Sequence, residues 1–460
     1  MNEIVEKLIR IGAVEANSIR PYYKYPQCSR VCSAWAYAIR PYTIILFFFA
    51  TNLFAQTFPE KVKAFVSDSG RIKNRQAITQ EIIWKTLQTP PENDATEVLW
   101  EKAFWGLEVS LFSPDSVFWK LKTAFNHYPK RSNSFQRSLW EAIYTLYPSQ
   151  FEQEALRWLG QEDFPRTFAM LAVYLYQIES SDRRANHIRA ALFRQFPEWK
   201  SNPILLSLYN YLKFKPLRQS SIVELLAWQK THGKKVIYSF QRLNRDFSGL
   251  VFVQNADGSL VKDSTGKVIM IQHLARSISN LPYFLTNGNA PQGVYSIRYQ
   301  ANSQNIYIGP TPTLWSFLPY EIDAKSFFHD CQEGDWTLEK YLSLLPPSWR
   351  THPGSTEAFW AGKAGRNEII LHGTTIDPDY YKGKIYYPMT PSMGCLTTKE
   401  IWNGTTGTLQ YSGQQALLNA YNNTAGEEGF LYVIELSNEN RPVRTDDLEE
   451  HIKYFEKVFR

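Results

Sequence analysis

The chain has 460 residues, 44% hydrophobic and 20% charged, which excludes a disordered chain and calls for more than one core. The net charge of +6 is spread without a Lys/Arg block, which argues against a nucleic-acid partner. Aromatic residues reach 15%, enough to fill helix interfaces or to line a groove for glycan or peptide.

Taken from the start, residues 44–54 form an apolar run of 11 residues broken only by Thr51 and Asn52. It is too short to span a bilayer, which needs about 20 residues. Arg40 before it and Ala55 after it fit a secretory signal peptide cut after Ala55. Residues 1–55 are therefore read as an N-terminal extension and signal, with an uncut anchor as the other reading. Either places the remainder in the periplasm or cell envelope. Cys28 and Cys32 lie before the cut, and their spacing has no partner pair for zinc.

Residues 56–228 read as an all-α scaffold. Apolar residues recur at three- and four-residue spacing over 97–111, 135–146, 151–159 and 183–196. Aromatic-Pro breaks at Phe112-Ser113-Pro114, Tyr147-Pro148 and Phe196-Pro197 separate them, with Ser113 and Ser149 as candidate caps. The unequal intervals predict an irregular helical-pair array that offers a surface to partners.

Residues 229–460 read as a mostly β domain with a few short helices. Strands are expected over 236–243, 250–254, 267–271, 293–299, 367–375 and 430–436. Helices are expected over 397–402 and 413–421, and 273–277 as a short helix or loop. The Pro-, Trp- and Asp-rich stretch 311–365 reads as an insertion or lid.

One segment carries chemistry. A strand ends at His372, Gly373 permits a sharp turn, and 23 residues further on Cys395 follows Gly394. A thiol is a poor nucleophile until an imidazole accepts its proton. Cys395 is thus the candidate nucleophile and His372 the general base and acid. The backbone N–H groups of Gly394 and Cys395 are placed to hold a tetrahedral oxyanion. Thr374 and Ser392 are candidate supports. Cys331 is read as a bystander thiol. His329, Asp330, Cys331 and Asp335 offer too few ligands for a metal site, and Asp377-Pro378-Asp379 reads as a turn.

His372-Gly373-Thr374 followed by Ser392-Met393-Gly394-Cys395-Leu396 resembles the catalytic motif of the YkuD-type L,D-transpeptidase family. Asn287 to Tyr295 resembles that family's Pro-x-Gly-x-aromatic strand, so the likeness covers about 285–436. It implies a β-rich catalytic domain with a cysteine nucleophile and no metal or organic cofactor. The implied activity is acylation of Cys395 by a peptidoglycan stem peptide and transfer to an amine acceptor. Hydrolysis would make it an L,D-carboxypeptidase, and a non-catalytic wall-binding module with a helical partner-binding region is the other class. The helical half would meet glycan strands or an outer-membrane or wall-associated protein. By the same likeness Gly373, Met393, Leu396 and Lys399 are candidate substrate contacts. Met393 and Thr397 depart from the basic residues that the family carries at those places, and Lys382, Lys384 or Lys399 are candidate replacements.

Overall fold

The computed structural model describes residues 57–213, 220–329 and 334–459. The signal segment, Cys28, Cys32 and Cys331 lie outside the described residues.

Helices fill the first part of the described chain, as the periodicity predicts. The longest run over Asp94–Ser110, Asn133–Leu146, Pro165–Ile178 and Asp182–Gln195. Their starts are set by Asn93, Ser132 and Ser181, whose side chains accept backbone N–H groups of the first turn. Ser113 and Ser149 cap nothing, because Pro114 and Phe151 occupy the cap positions of the helices they precede. Among the described residues no helix is long and apolar enough to cross a membrane.

The second part closes into an eight-stranded barrel. Its strands are β1 (Lys235–Gln241), β2 (Gly249–Gln254), β3 (Ile271–Leu274), β4 (Gly293–Ala301), β5 (Thr313–Phe317), β6 (Leu371–His372), β7 (Leu396–Thr398) and β10 (Gly429–Glu435). The order around the barrel is β1, β10, β4, β5, β6, β7, β3, β2. The pairs β1–β10 and β6–β7 are parallel, and the others are antiparallel. A separate ribbon pairs β8 (Glu400–Trp402) with β9 (Leu409–Ser412). All residues of β1, β2 and β10 are buried, because one face fills the barrel and helices cover the other.

Three expectations are corrected. Residues 397–402 are two short strands, since Thr397, Thr398, Ile401 and Trp402 favour extended pairing. His273 lies in β3, not in a helix or loop. Residues 311–365 are no lid. They supply β5, between β4 and β6, and their side chains Leu314, Leu318, Phe327, Tyr341 and Phe359 belong to the barrel's own core.

The two parts share a core. Ile278, Leu281, Phe284 and Leu285, from the segment before β4, are buried among helical residues such as Trp140, Ala172 and Leu208. The amphipathic helix Asp446–Phe459, which the sequence reading left unassigned, buries Leu448, Ile452 and Phe455 against the barrel. At the other end Val62 and Val66 pack on Trp402, and the Asp68 N–H donates to the Gly404 carbonyl at 2.8 Å.

Candidate active site

The parallel pair β6–β7 fixes the relation between His372 and Cys395. Leu371 lies opposite Leu396, and His372 opposite Thr397. Leu371 and Leu396 fill the barrel core. Side chains alternate along a strand, so His372 and Thr397 face outwards, and Cys395 directly precedes β7.

A cap over 376–390 closes the outer face. Tyr381, Tyr386 and Met389 pack with Leu274 of β3. The Thr397 hydroxyl donates to the Thr390 carbonyl at 2.8 Å, and the Thr390 hydroxyl donates to Thr374 Oγ1 at 2.9 Å. The Asp377 carboxylate accepts from Arg75 Nε at 2.7 Å, tying the start of this cap to the helix Asp68–Gln76.

His372 is buried, and its Nδ1–H donates to the Gly373 carbonyl at 2.5 Å. That bond leaves Nε2 as the basic nitrogen. Burial lowers the pKa to about 4, against the raising effect of the Gly373 carbonyl, so the ring is neutral at pH 7. A half-buried carboxylate shapes the same turn. Glu400 accepts the Thr374 N–H at 3.0 Å and the hydroxyls of Thr311 and Ser412 at 2.7 and 2.8 Å. Burial raises its pKa, and those three bonds oppose the rise. Thr374 thus supports the His372 turn through backbone and hydroxyl alike.

Ser392 staples the approach to the cysteine. Its hydroxyl accepts the Gly394 N–H at 3.2 Å and donates to the Cys395 carbonyl at 2.9 Å. Its own carbonyl accepts the Ile278 N–H at 2.7 Å. Gly394 has φ +124°, a conformation that glycine alone adopts without strain. The Gly394 N–H is engaged by Ser392 and does not point into a vacant oxyanion site, contrary to the expectation from sequence.

Cys395 is half-buried, and its thiol donates to the Glu368 carbonyl at 3.2 Å. Glu368 lies four residues before His372, so the thiol points along the strand away from the imidazole.

The second motif meets the first. The 281–293 segment abuts Gly394, where an added Cβ would come within 2.9 Å of the Gly288 carbonyl oxygen. A cation that sequence reasoning missed sits at the same junction. Arg366 is fully buried, and Nη1 donates to the carbonyls of Tyr283 at 2.6 Å and Asn289 at 2.9 Å. Its Nη2 would lie 2.5 Å from a Cβ on Gly394. Burial lowers its pKa to about 10, opposed by the neighbouring Tyr295, Cys395 and Glu141.

The remaining expected contacts are dispersed. Leu396 is fully buried in the barrel, and Gly373 presses on Glu400, so neither faces a substrate. Met393 packs against the helical core. Lys399 lines an open groove with Met270, Ile271, Gln272, Ile401 and Tyr411, beyond the far end of β7 from Cys395. Lys382 and Lys384 are exposed on the cap. No family model, no curated protein and no solved structure matches the chain.

Proposed function

We propose that the chain is an exported cysteine acyltransferase of the L,D-transpeptidase kind, acting on peptidoglycan stem peptides. The observation that carries this reading is the parallel pairing of β6 with β7, in which the strand that ends at His372 lies beside the one that Cys395 directly precedes. In the proposed cycle His372 Nε2 takes the thiol proton, and Sγ attacks the carbonyl that joins an L-centre to a terminal D-residue. The tetrahedral intermediate collapses to a thioester, and His372 returns the proton to the departing amine. An acceptor amine then attacks the thioester, forms the new amide and restores the thiol. Water in place of the amine gives L,D-carboxypeptidase activity. The helical region would present glycan strands or a wall-associated protein to this face.

One observation favours a second reading, a wall-binding module without catalysis: the Cys395 thiol donates to the Glu368 carbonyl. Intact mass after incubation with a carbapenem separates the two. The enzyme gains a single adduct that Cys395→Ala abolishes. Absence of the adduct, together with no turnover of tetrapeptide muropeptides, would overturn the first reading.

A further inference from the structure

Cys395 needs more than a base. His372 is buried and bonded through Nδ1 to its own neighbour's carbonyl, so a lasting imidazolium there is disfavoured. A lasting thiolate therefore requires a permanent cation nearby. The lysines around the motif do not supply one, since Lys382 and Lys384 are exposed on the cap and Lys399 opens into another groove.

We infer that Arg366 is the cation that holds Cys395 as a thiolate, clamped by the carbonyls of Tyr283 and Asn289 and adjusted by Glu141 from the helical region. The guanidinium lies against Gly394, the residue before the thiol. Its two carbonyl bonds at 2.6 and 2.9 Å fix its plane without neutralising its charge. The position costs Gly394 any side chain, because Nη2 occupies the space where a Cβ would stand. The role rests on Cys395 being the reacting group of the proposed function.

The charges facing this pair come from both parts of the chain. Tyr295 belongs to the barrel and stays protonated, because burial raises its pKa. Glu141 and Arg166 come from helices Asn133–Leu146 and Pro165–Ile178, and both act on Arg366. Behind Glu141 stand Arg137, bonded to it at 2.7 Å, and Glu108, buried beside it. Burial raises both carboxyls of this pair, Glu108 well above the ordinary range; Arg137, Asn287 and Arg366 oppose the rise at Glu141, so Glu141 is the member that ionises first. His372 and Glu368 complete the surroundings on the strand side. On ionisation the Sγ proton passes to His372 Nε2 and on to solvent, and the negative charge remains on sulfur beside the guanidinium.

This makes opposite predictions for two substitutions. Loss of the cation raises the thiol pKa, whereas loss of the Glu141 charge leaves the cation less compensated and lowers it. The test is the rate of Cys395 alkylation by iodoacetamide against pH in the full chain, read by mass. It needs no peptide substrate, so a failed transpeptidase assay and a failed role for Arg366 are told apart. The wild-type midpoint is expected below the ordinary thiol value of about 8.5. Arg366→Gln should raise the midpoint by one unit or more, about tenfold slower alkylation at pH 7. Arg366→Lys, which keeps the charge without the fork, should fall between the two. Glu141→Gln should speed alkylation at pH 7 by roughly threefold, about half a unit. A folded Arg366→Gln with an unchanged midpoint overturns the inference. If that variant does not fold, an unchanged or raised midpoint in Glu141→Gln overturns it. A wild-type midpoint at or above the ordinary value overturns it as well.

Discussion

A methyl group on Gly373 would meet the Glu400 carboxylate at 2.1 to 2.7 Å. That carboxylate already holds Thr374, Thr311 and Ser412, so it has little room to retreat. Gly373→Ala is expected to cost about 1–3 kcal/mol by denaturant unfolding, the usual range for overpacking. It should also slow acylation of Cys395, because the His372 turn moves with Glu400. His372 makes a second prediction. The unfolded imidazole takes a proton near pH 6.5, while the buried one resists until about pH 4. Between those values the unfolded state binds the extra proton, so this residue's contribution to stability is lost as pH falls. Relative to wild type, His372→Gln should gain up to about 3 kcal/mol between pH 6.5 and 4, measured by urea unfolding at each pH. The comparison cancels the other buried groups, several of which are carboxyls of opposite sign such as Glu321, raised to about 7.

At this scale the sequence showed what is local in the chain. His372-Gly373-Thr374 and Ser392 to Cys395 are contiguous, and the backbone needs of Gly394 could be read there. Arg366 and Glu400 could not be recognised. Each acts through contacts made only after folding: Arg366 with carbonyls more than seventy positions away, and Glu400 with Thr311 and Thr374. The sole hint was an arginine six residues before the histidine. Leu396 was a candidate contact by likeness to the motif alone, and strand alternation turns it into the barrel.

Among elements, the cap over 376–390 has the shortest moorings. Its start is bound to Arg75 through Asp377, and its lysines Lys382 and Lys384 are exposed. Asp377→Ala combined with Asp379→Ala removes both carboxylates that bind Arg75 without touching the Tyr381, Tyr386 and Met389 cluster. Trypsin should then cut after Lys382 or Lys384 several-fold faster, as a mass fingerprint would show, with global unfolding little changed. Equal cleavage rates would mean that the aromatic cluster alone holds the cap. The helices and the long strands were legible because their apolar periods run for many residues. β6 falls inside the strand expected over 367–375 but keeps only two of its residues, and β7, read as the start of a helix, has three, too few for a period, so that only its partners make it a strand.

On the scale of the whole molecule, the helical part and the barrel cannot be separated cleanly. Phe284 follows the barrel's third strand in sequence yet is buried in the helical core. Phe284→Ala is expected to cost about 3–5 kcal/mol. One calorimetric transition should move as a unit, with helical and barrel probes falling together. Two transitions, with only one displaced, would show that the parts fold independently. The boundary near 228 read from composition marks a change of secondary structure and not a division between cores.

Barrel closure also bears on the order in which the chain takes shape. β1 closes against β10, nearly two hundred residues later, residue Lys235 opposite Gly429. A chain that emerges from its N-terminus can build its helices early, but their core still lacks residues 278–285 until that segment arrives. The barrel stays an open sheet, with β1 exposing one unpaired edge, until residues 429–435 have been made. Over those nearly two hundred residues of synthesis the polypeptide therefore carries a sticky edge strand that β10 alone comes to cover.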